Sequence, residues 1–118
     1  MKIIDNMLHD HITKDKAYTL PLESTDIDFS TYHSIQADFK AVEKLDAPAV
    51  FRLSIGSGIT VEGNTLLLSL SAGQTAKIRQ RNLYMDIKAI PSEGAAPLIL
   101  ATARYTVNES ITNIAVAP

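Results

Sequence analysis

Two histidines near the start of the chain have a spacing that could bind a metal ion. His9 and His11 flank Asp10, and side chains two residues apart on a strand point to the same side, so both imidazoles could bind one divalent cation. A catalytic metal would need a third ligand, which Asp5 or the distant His33 could supply. Short polar segments often contain such clusters by chance. We therefore expect a solvated, mixed-charge segment here, with no metal and no other cofactor.

Two further motifs have the residue types of ligand sites but incomplete patterns. Asp26 and Asp28 could hold calcium together with a backbone oxygen, yet their segment lacks the longer acidic pattern of a calcium loop. Hydrogen bonds from Asx side chains within a turn explain the pair more simply. Gly56-Ser57-Gly58 is not followed by the Lys-Ser/Thr of a phosphate loop, so we interpret it as a strand connection.

No set of residues in the sequence has the composition of a catalytic site. Ser71 and Thr75 carry hydroxyls, but the second half of the chain contains no histidine that could activate them as nucleophiles. Asp86 stands beside Tyr84 in an apolar stretch, where we expect it to pair with Arg104 or Lys88 as a structural contact. We predict that the protein has no catalytic residues and is not an enzyme.

The composition favours a small globular domain and argues against two kinds of partner. The 118 residues fit one domain, and a formal net charge of −2 gives no electrostatic case for nucleic acid. No cysteine is present, which removes disulfides and thiolate chemistry. No apolar run reaches the ~20 residues of a membrane span, and the first residues lack the apolar core of a signal peptide. We expect no membrane partner and a protein made inside a cell.

A strand–helix–strand unit over residues 63–90 has the clearest secondary-structure pattern in the chain. Ser71 and Gln74 have the spacing of a capping box, in which each side chain accepts a hydrogen bond from a free backbone N–H at the start of a helix. A short helix is predicted at about 72–80. Near the end of this helix lies a small basic group of three residues: Lys77, Arg79 and Arg81. Two interpretations stay open. The helix dipole favours cations at this position, or the group faces an anionic partner surface.

The remaining apolar patterns predict strands. About seven short strands, separated by turn signals, indicate an all-β fold, an antiparallel two-sheet β-sandwich of the Ig-like type. In the last strand we expect Ile99 and Tyr105 to face the core. Residues 1–16 are polar and are expected to form an arm or an edge strand rather than core. The sandwich domain spans 17–107, and 108–118 forms a tail.

Three short motifs of the chain match a pattern of a known family: Leu70-Ser71, Gln74-Thr75-Ala76 and Tyr84-Met85-Asp86-Ile87. Through them the chain resembles, over roughly residues 17–107, a β-sandwich module of tailed-bacteriophage and prophage virion proteins, such as the N-terminal domain of baseplate upper protein. In that group a strand ends in Leu-Ser, a short helix follows, and the next strand carries a Tyr-x-Asp run. The residues that define the fold by this resemblance are Leu70, Ser71, Gln74, Tyr84 and Asp86.

The resemblance implies a virion structural protein of the tail, neck or baseplate, with no catalytic set. Its partners would be other virion proteins and further copies of itself, in a particle assembled in the host cytoplasm. We expect the termini and the basic group to form the interface, through Met1, Lys2, Ile3, Ile4, His9, His11, Lys77, Arg79, Arg81, Ile114 and Val116. Two alternatives stay open: a capsid decoration protein, and a carbohydrate-binding or adhesin-like sandwich that uses Tyr32 and His33.

Overall fold

Eight strands and one short helix make up the part of the chain that the computed structural model describes, residues 7–44 and 46–109. The strands are β1 (Leu8–Thr13), β2 (Tyr18–Glu23), β3 (Ser34–Lys40), β4 (Ala49–Ile55), β5 (Gly58–Glu62), β6 (Thr65–Leu70), β7 (Asn82–Ile90) and β8 (Leu98–Asn108). A 3-10 turn at Phe29–Thr31 precedes β3, and the helix α1 (Ala72–Ala76) lies between β6 and β7. The predicted all-β, Ig-like fold is confirmed.

The strands form one nearly closed sheet, which corrects the prediction of two sheets. Their hydrogen-bonded order is β1-β8-β7-β3-β4-β5-β6-β2. Two of the pairings are parallel, β1 with β8 and β4 with β5, and the other five are antiparallel. Only Ser54–Gly58 and Ile55–Ile59 pair at the β4–β5 junction. Gly56 and Gly58 have positive φ angles, which let the chain loop and continue in the same direction.

Two faces result from the way this sheet curls around its core. The front face is the outer side of β1, β8, β7, β3 and β4, and the back face is the outer side of β5, β6 and β2. Side chains from both halves meet inside. The largest fully buried ones include Tyr105, Phe29, Phe39, Ile12, Ile35, Ile59, Leu66, Leu68, Ile78, Leu83 and Met85. This burial is the main source of stability for a chain without disulfides.

The segment before residue 17 contains an edge strand. Residues 8–13 form β1 and pair with β8 in register from Leu8–Ala103 to Thr13–Asn108. Ile12 is fully buried, a core contribution that the polar pattern did not indicate. Residue 17 falls in the connection to β2, where Asp15 has a positive φ of 67°. Of the expected tail, Asn108 ends β8 and Glu109 contacts Lys14.

Two sequence predictions are wrong in detail. Ile99 is 40% exposed and Leu100 is buried, because a bulge shifts the β7–β8 register between Ile87 and Lys88 and reverses the alternation. The helix ends at Ala76 rather than near residue 80. The Ile78 backbone N–H bonds to the Thr75 carbonyl, and the Ile78 side chain enters the core, so the chain leaves the helical path there.

Three side chains from distant parts of the sequence join the two end strands. The Tyr18 hydroxyl lies 2.8 Å from Asp10 Oδ2 and 3.0 Å from the Tyr105 hydroxyl, and the two rings pack edge to face at 5.3 Å. Burial raises the pKa of Tyr105 to about 12 and also raises the pKa of Tyr18, with the neighbouring Tyr105 and Asp10 adding to the latter. These bonds hold β1, on the front half, against β2, on the back half.

Candidate protein-binding surface

The front face carries two cross-strand rows of charged and aromatic side chains. Residues directly opposite each other in neighbouring strands share a face, so the register defines both rows. The first row runs from β1 to β3 through His9, Arg104, Tyr84 and Lys40. The second runs from β8 to β4 through Thr102, Asp86, Asp38 and Arg52. A cationic row therefore lies beside a row that is acidic at its centre.

Arg52 and Asp38 form the best-ordered ion pair of the second row. Arg52 Nε donates to Asp38 Oδ1 at 2.9 Å and Nη2 donates to Oδ2 at 3.3 Å, a two-point contact between β4 and β3. Gln36 donates to the same carboxylate at 3.2 Å. Partial burial on its own would raise the pKa of Asp38, but the bonds and charge of Arg52 outweigh it and hold that pKa below its usual value.

Arg104, in the first row, contacts both the Tyr84 ring and Glu43. Its guanidinium carbon lies 5.2 Å from the centre of the Tyr84 ring, within the range of a cation–π contact. Arg104 Nη2 also lies 3.2 Å from Glu43 Oε2. Our expectation that Asp86 pairs with Arg104 or Lys88 is therefore wrong. Asp86 faces Asp38 and Thr102 across the neighbouring strands and makes no ion pair among the described residues.

A shallow depression of about 220 Å³ opens where the two rows meet the β3–β4 connection. Lys40 lies at its base, nearly buried, and donates to the Lys44 carbonyl oxygen at 3.3 Å. The other lining residues are Asp38, Val42, Glu43, Lys44, Tyr84 and Asp86. Three carboxylates and two ammonium groups thus surround the half-buried ring of Tyr84. Such a lining is suited to polar side chains of a partner protein.

The predicted basic group lies at one end of the sandwich, just before the start of β7. Lys77, Arg79 and Arg81 are all exposed. Arg79 and Arg81 line a wide cleft of about 560 Å³ together with Lys14 and residues 106–109. The Val107 backbone N–H donates to the Arg81 carbonyl at 2.7 Å, which fixes this connection against the end of β8.

The histidine pair does not assemble into a metal site among the described residues. His9 and His11 are exposed on the same side of β1, opposite Arg104 and Thr106. No group of three metal-binding side chains occurs within residues 7–44 and 46–109. His33 lies at the far end of β3, beside Ile90. The candidate ligand Asp5 lies outside the described residues, as do the interface candidates Met1, Lys2, Ile3, Ile4, Ile114 and Val116.

The turn and cap interpretations are confirmed. Ser71 Oγ accepts from the Gln74 N–H at 3.1 Å, and Gln74 Oε1 accepts from the Ser71 N–H at 2.8 Å. Asp28 caps the 3-10 turn by accepting from the Ser30 N–H at 3.0 Å. The hydroxyl of Thr75 is buried and bonds to the Lys16 carbonyl at 2.8 Å, so it ties the helix to the β1–β2 turn.

The residues assigned to fold and sugar binding can also be located. Leu70 is buried opposite Tyr18 at the end of β6, and Tyr84 and Asp86 are half-buried on the front face. Tyr32, a candidate for stacking on a sugar, packs edge to face against buried Phe29 with ring centres 6.1 Å apart. The signal that sequence reasoning missed is the cross-strand register, which brings Arg104, Tyr84 and Glu43 together.

Comparison with known proteins identifies the fold alone. Neither a protein-family model nor a curated protein matches the chain. A crystal structure of a chicken TCR aligns over 89% of this chain with a TM-score of 0.56 and 13% identity. This chain spans about half of the TCR chain, 55%. At this identity the similarity establishes an Ig-like domain and no shared activity.

Two weaker structural similarities belong to extracellular domains. Drosophila OTK domains 3–5 match 94% of this chain and 36% of that one, with 14% identity and a TM-score of 0.40. The extracellular domain of the sodium channel beta4 subunit, solved as parallel homodimers, matches 92% of this chain and 96% of that one, with 12% identity and a TM-score of 0.39. Within the described residues, no helix is long and apolar enough to cross a membrane.

Proposed function

We propose that this chain is a structural protein of a tailed-phage virion, a tail, neck or baseplate component that acts by protein–protein assembly and catalyses no reaction. The virion setting rests on the resemblance over residues 17–107. The assembly role rests on the front face. Other virion proteins are the proposed partners, together with further copies of this chain, and the site of action is the particle assembled in the host cytoplasm.

The observation that carries this proposal is the size and order of the front face. Five strands at ~4.8 Å spacing make a face about 19 Å wide, and the nine residues of β7 extend it to about 30 Å in length. Such a face covers roughly 600 Å², close to the ~800 Å² that each partner contributes to a standard protein interface. It is far larger than a small-molecule site needs.

Two cations of this face have partners within the molecule before any other protein binds. Arg52 pairs with Asp38, and Arg104 pairs with Glu43 and lies over the Tyr84 ring. A partner therefore meets side chains whose rotamer freedom is already reduced, which lowers the entropy lost on association. Paired surface charges contribute little to folding, so the arrangement fits recognition better than stability.

A carbohydrate-binding role is less well supported by the same residues. A sugar-binding aromatic ring needs an open face, but the Arg104 guanidinium covers Tyr84 and Tyr32 packs against Phe29. A capsid decoration protein would use the same kind of surface and would differ only in its partner.

Mass spectrometry of purified particles tests the proposal directly. Virions banded from the culture that encodes this chain should contain its peptides in many copies per particle. A cell lysate from the same culture is the matched control, because it shows that the chain is expressed. Peptides that are abundant in the lysate and absent from the banded particles would contradict the virion role.

A further inference from the structure

We propose that copies of this chain assemble head to tail, with the basic end of one sandwich docked on the acidic end of the next. This inference rests on the proposed assembly function and assigns the contact between copies to the two ends, which leaves the front face to other partner proteins. It follows from where the topology places charged side chains. The chain's formal net charge of −2 hides the separation.

The basic end is the end at which β3 stops and β7 begins. Its connections are 14–17, 41–48, 71–81 and the start of the segment after β8. Within the described part of these connections lie six cations: Lys14, Lys16, Lys44, Lys77, Arg79 and Arg81. Four acidic residues accompany them, and two of the four are already paired, Glu109 with Lys14 and Glu43 with Arg104.

The acidic end is the opposite end, where β3 begins and β7 stops. Its connections are 24–33, 63–64 and 91–97, all fully described. They and the adjoining strand termini carry five acidic side chains: Glu23, Asp26, Asp28, Glu62 and Glu93. Neither lysine nor arginine occurs in these three connections. This end therefore has an uncompensated negative charge.

One exposed aliphatic side chain lies at each of the two ends. Among the described residues, the exposed large hydrophobic side chains are Val42 at 48%, Ile55 at 46% and Ile99 at 40%. Val42 is in the β3–β4 connection at the basic end. Ile99 opens β8 at the acidic end, whereas Ile55 closes β4 at the edge where β4 meets β5. Each end thus combines charge with apolar surface, as the core and rim of protein interfaces do.

The separation of the two ends makes a second copy the fitting partner. The eleven residues of β8 span about 35 Å, well beyond the ~8 Å screening length at physiological salt. The two ends therefore cannot neutralise each other within one molecule. A second copy presents the complementary charge by construction. Because the two surfaces differ, the contact is heterologous and repeats, which produces a ring or a filament.

Two charge-reversed variants test the contact. One carries Lys77→Glu, Arg79→Glu and Arg81→Glu at the basic end. The other carries Asp26→Lys, Glu62→Lys and Glu93→Lys at the acidic end. All six residues are exposed, and their side chains make no ion pair among the described residues. Circular dichroism and thermal melting should show that both variants fold as the wild type does.

Light scattering is then recorded on each variant alone and on their equimolar mixture. Each variant alone has two ends of the same sign, so we expect its apparent association constant to fall at least ten-fold. In the mixture, acidic ends meet basic ends, and the wild-type mass should return. A charge-conserving control, Lys77→Arg with Arg79→Lys and Arg81→Lys, should assemble as the wild type does.

Two results would overturn the inference. One is a reversed variant that assembles as well as the wild type, and the other is a mixture that stays monomeric. Either result leaves the virion proposal standing if the chain is present in banded particles. Absence from the particles with restored mass in the mixture would instead reject the virion role and keep the head-to-tail contact.

Discussion

The two ends of this sandwich are built from the same kinds of turns but carry opposite charge. At the basic end, Lys77, Arg79 and Arg81 follow a helix whose first turn is capped by Ser71. At the acidic end, Asp28 caps a 3-10 turn in the same way, Glu62 ends β5, and Glu93 lies in the turn between β7 and β8. Both ends therefore use a side chain that caps the first turn. They differ in the sign of the exposed charged side chains around that cap.

This difference shows that a composition can be electrostatically unremarkable while the folded molecule is strongly polarised. A net charge of −2 rules out a strongly basic domain and says nothing about how the charges are distributed in the fold. The fold places the cluster of Lys77, Arg79 and Arg81 and the five carboxylates of the acidic end about 35 Å apart, the length of β8. Each end can then attract the oppositely charged end of another molecule, so a protein with little net charge can associate with itself.

Truncation of a core residue at each end tests whether the ends differ only in charge. Phe29 at the acidic end and Ile78 at the basic end are almost fully buried. We expect Phe29→Ala to lower the free energy of unfolding by about 3–5 kcal/mol and Ile78→Ala by about 2–5 kcal/mol. Urea unfolding followed by circular dichroism measures both. A cost below about 1 kcal/mol at one end would mean that this end is not part of the cooperative fold.

Alkaline pH should destabilise the protein through the phenols buried near the basic end. An unfolded tyrosine ionises near pH 10, whereas the pKa of Tyr105 in the folded chain is about 12. The folded-state pKa is the higher one, so this stability is complete below pH 10 and is lost as the pH rises toward 12. Two pKa units correspond to about 3 kcal/mol.

Variants isolate the contribution of Tyr105 at high pH. Urea unfolding at pH 9 and pH 12 should show a clearly smaller loss of stability for Tyr105→Phe than for the wild type. Tyr84→Phe, which removes a half-buried phenol from the front face, should behave as the wild type. An equal loss in the wild type and in Tyr105→Phe would contradict the assignment.

The two caps should prove energetically equivalent. Ser71→Ala removes the acceptor for the Gln74 N–H, and Asp28→Ala removes the acceptor for the Ser30 N–H. Each change should cost about 1 kcal/mol of unfolding free energy. Ser57→Ala, in an exposed turn, is the matched control and should stay within about 0.5 kcal/mol of the wild type. A large difference between the two caps would show that one end depends more on its turn.

The smallest expected effect on the free energy of unfolding is that of a substitution on the front face, away from both ends. Arg52→Gln removes an ion pair whose arginine is largely exposed, so the free energy of unfolding should fall by about 0–1 kcal/mol. The wild-type solution mass should be unchanged, since the residue lies at neither end. A loss of self-association in this variant would move the contact between copies to the front face.

Contacts between residues close in sequence could be predicted, and those set by topology could not. The capping box of Ser71 and Gln74 spans three positions, so the sequence alone indicates it. The Tyr18–Tyr105 contact joins residues 87 apart, and only the parallel pairing of β1 with β8 brings Asp10 beside them. The bulge at Leu100 reversed an alternation that looked regular. No local pattern in the sequence marks either feature.

The charged surface groups likewise fall into those that the sequence indicates and those that only the fold brings together. Lys77, Arg79 and Arg81 form a group because they are near neighbours in the chain, and their exposure matches what the sequence indicated. The acidic end draws its charges from separate connections, so no stretch of sequence displays it. The Arg104–Tyr84–Glu43 cluster likewise depends on strand order. Its prediction requires the register of β7 against β8, which the sequence does not specify.

The most direct test of end-to-end assembly is the solution mass of the full chain across a concentration series at low and high salt. Light scattering at about 0.1 M and about 1 M salt compares screening lengths of about 10 Å and 3 Å. We expect a mass above that of the monomer that grows with concentration at low salt and falls toward the monomer at high salt. A monomer at every concentration in low salt would contradict the account.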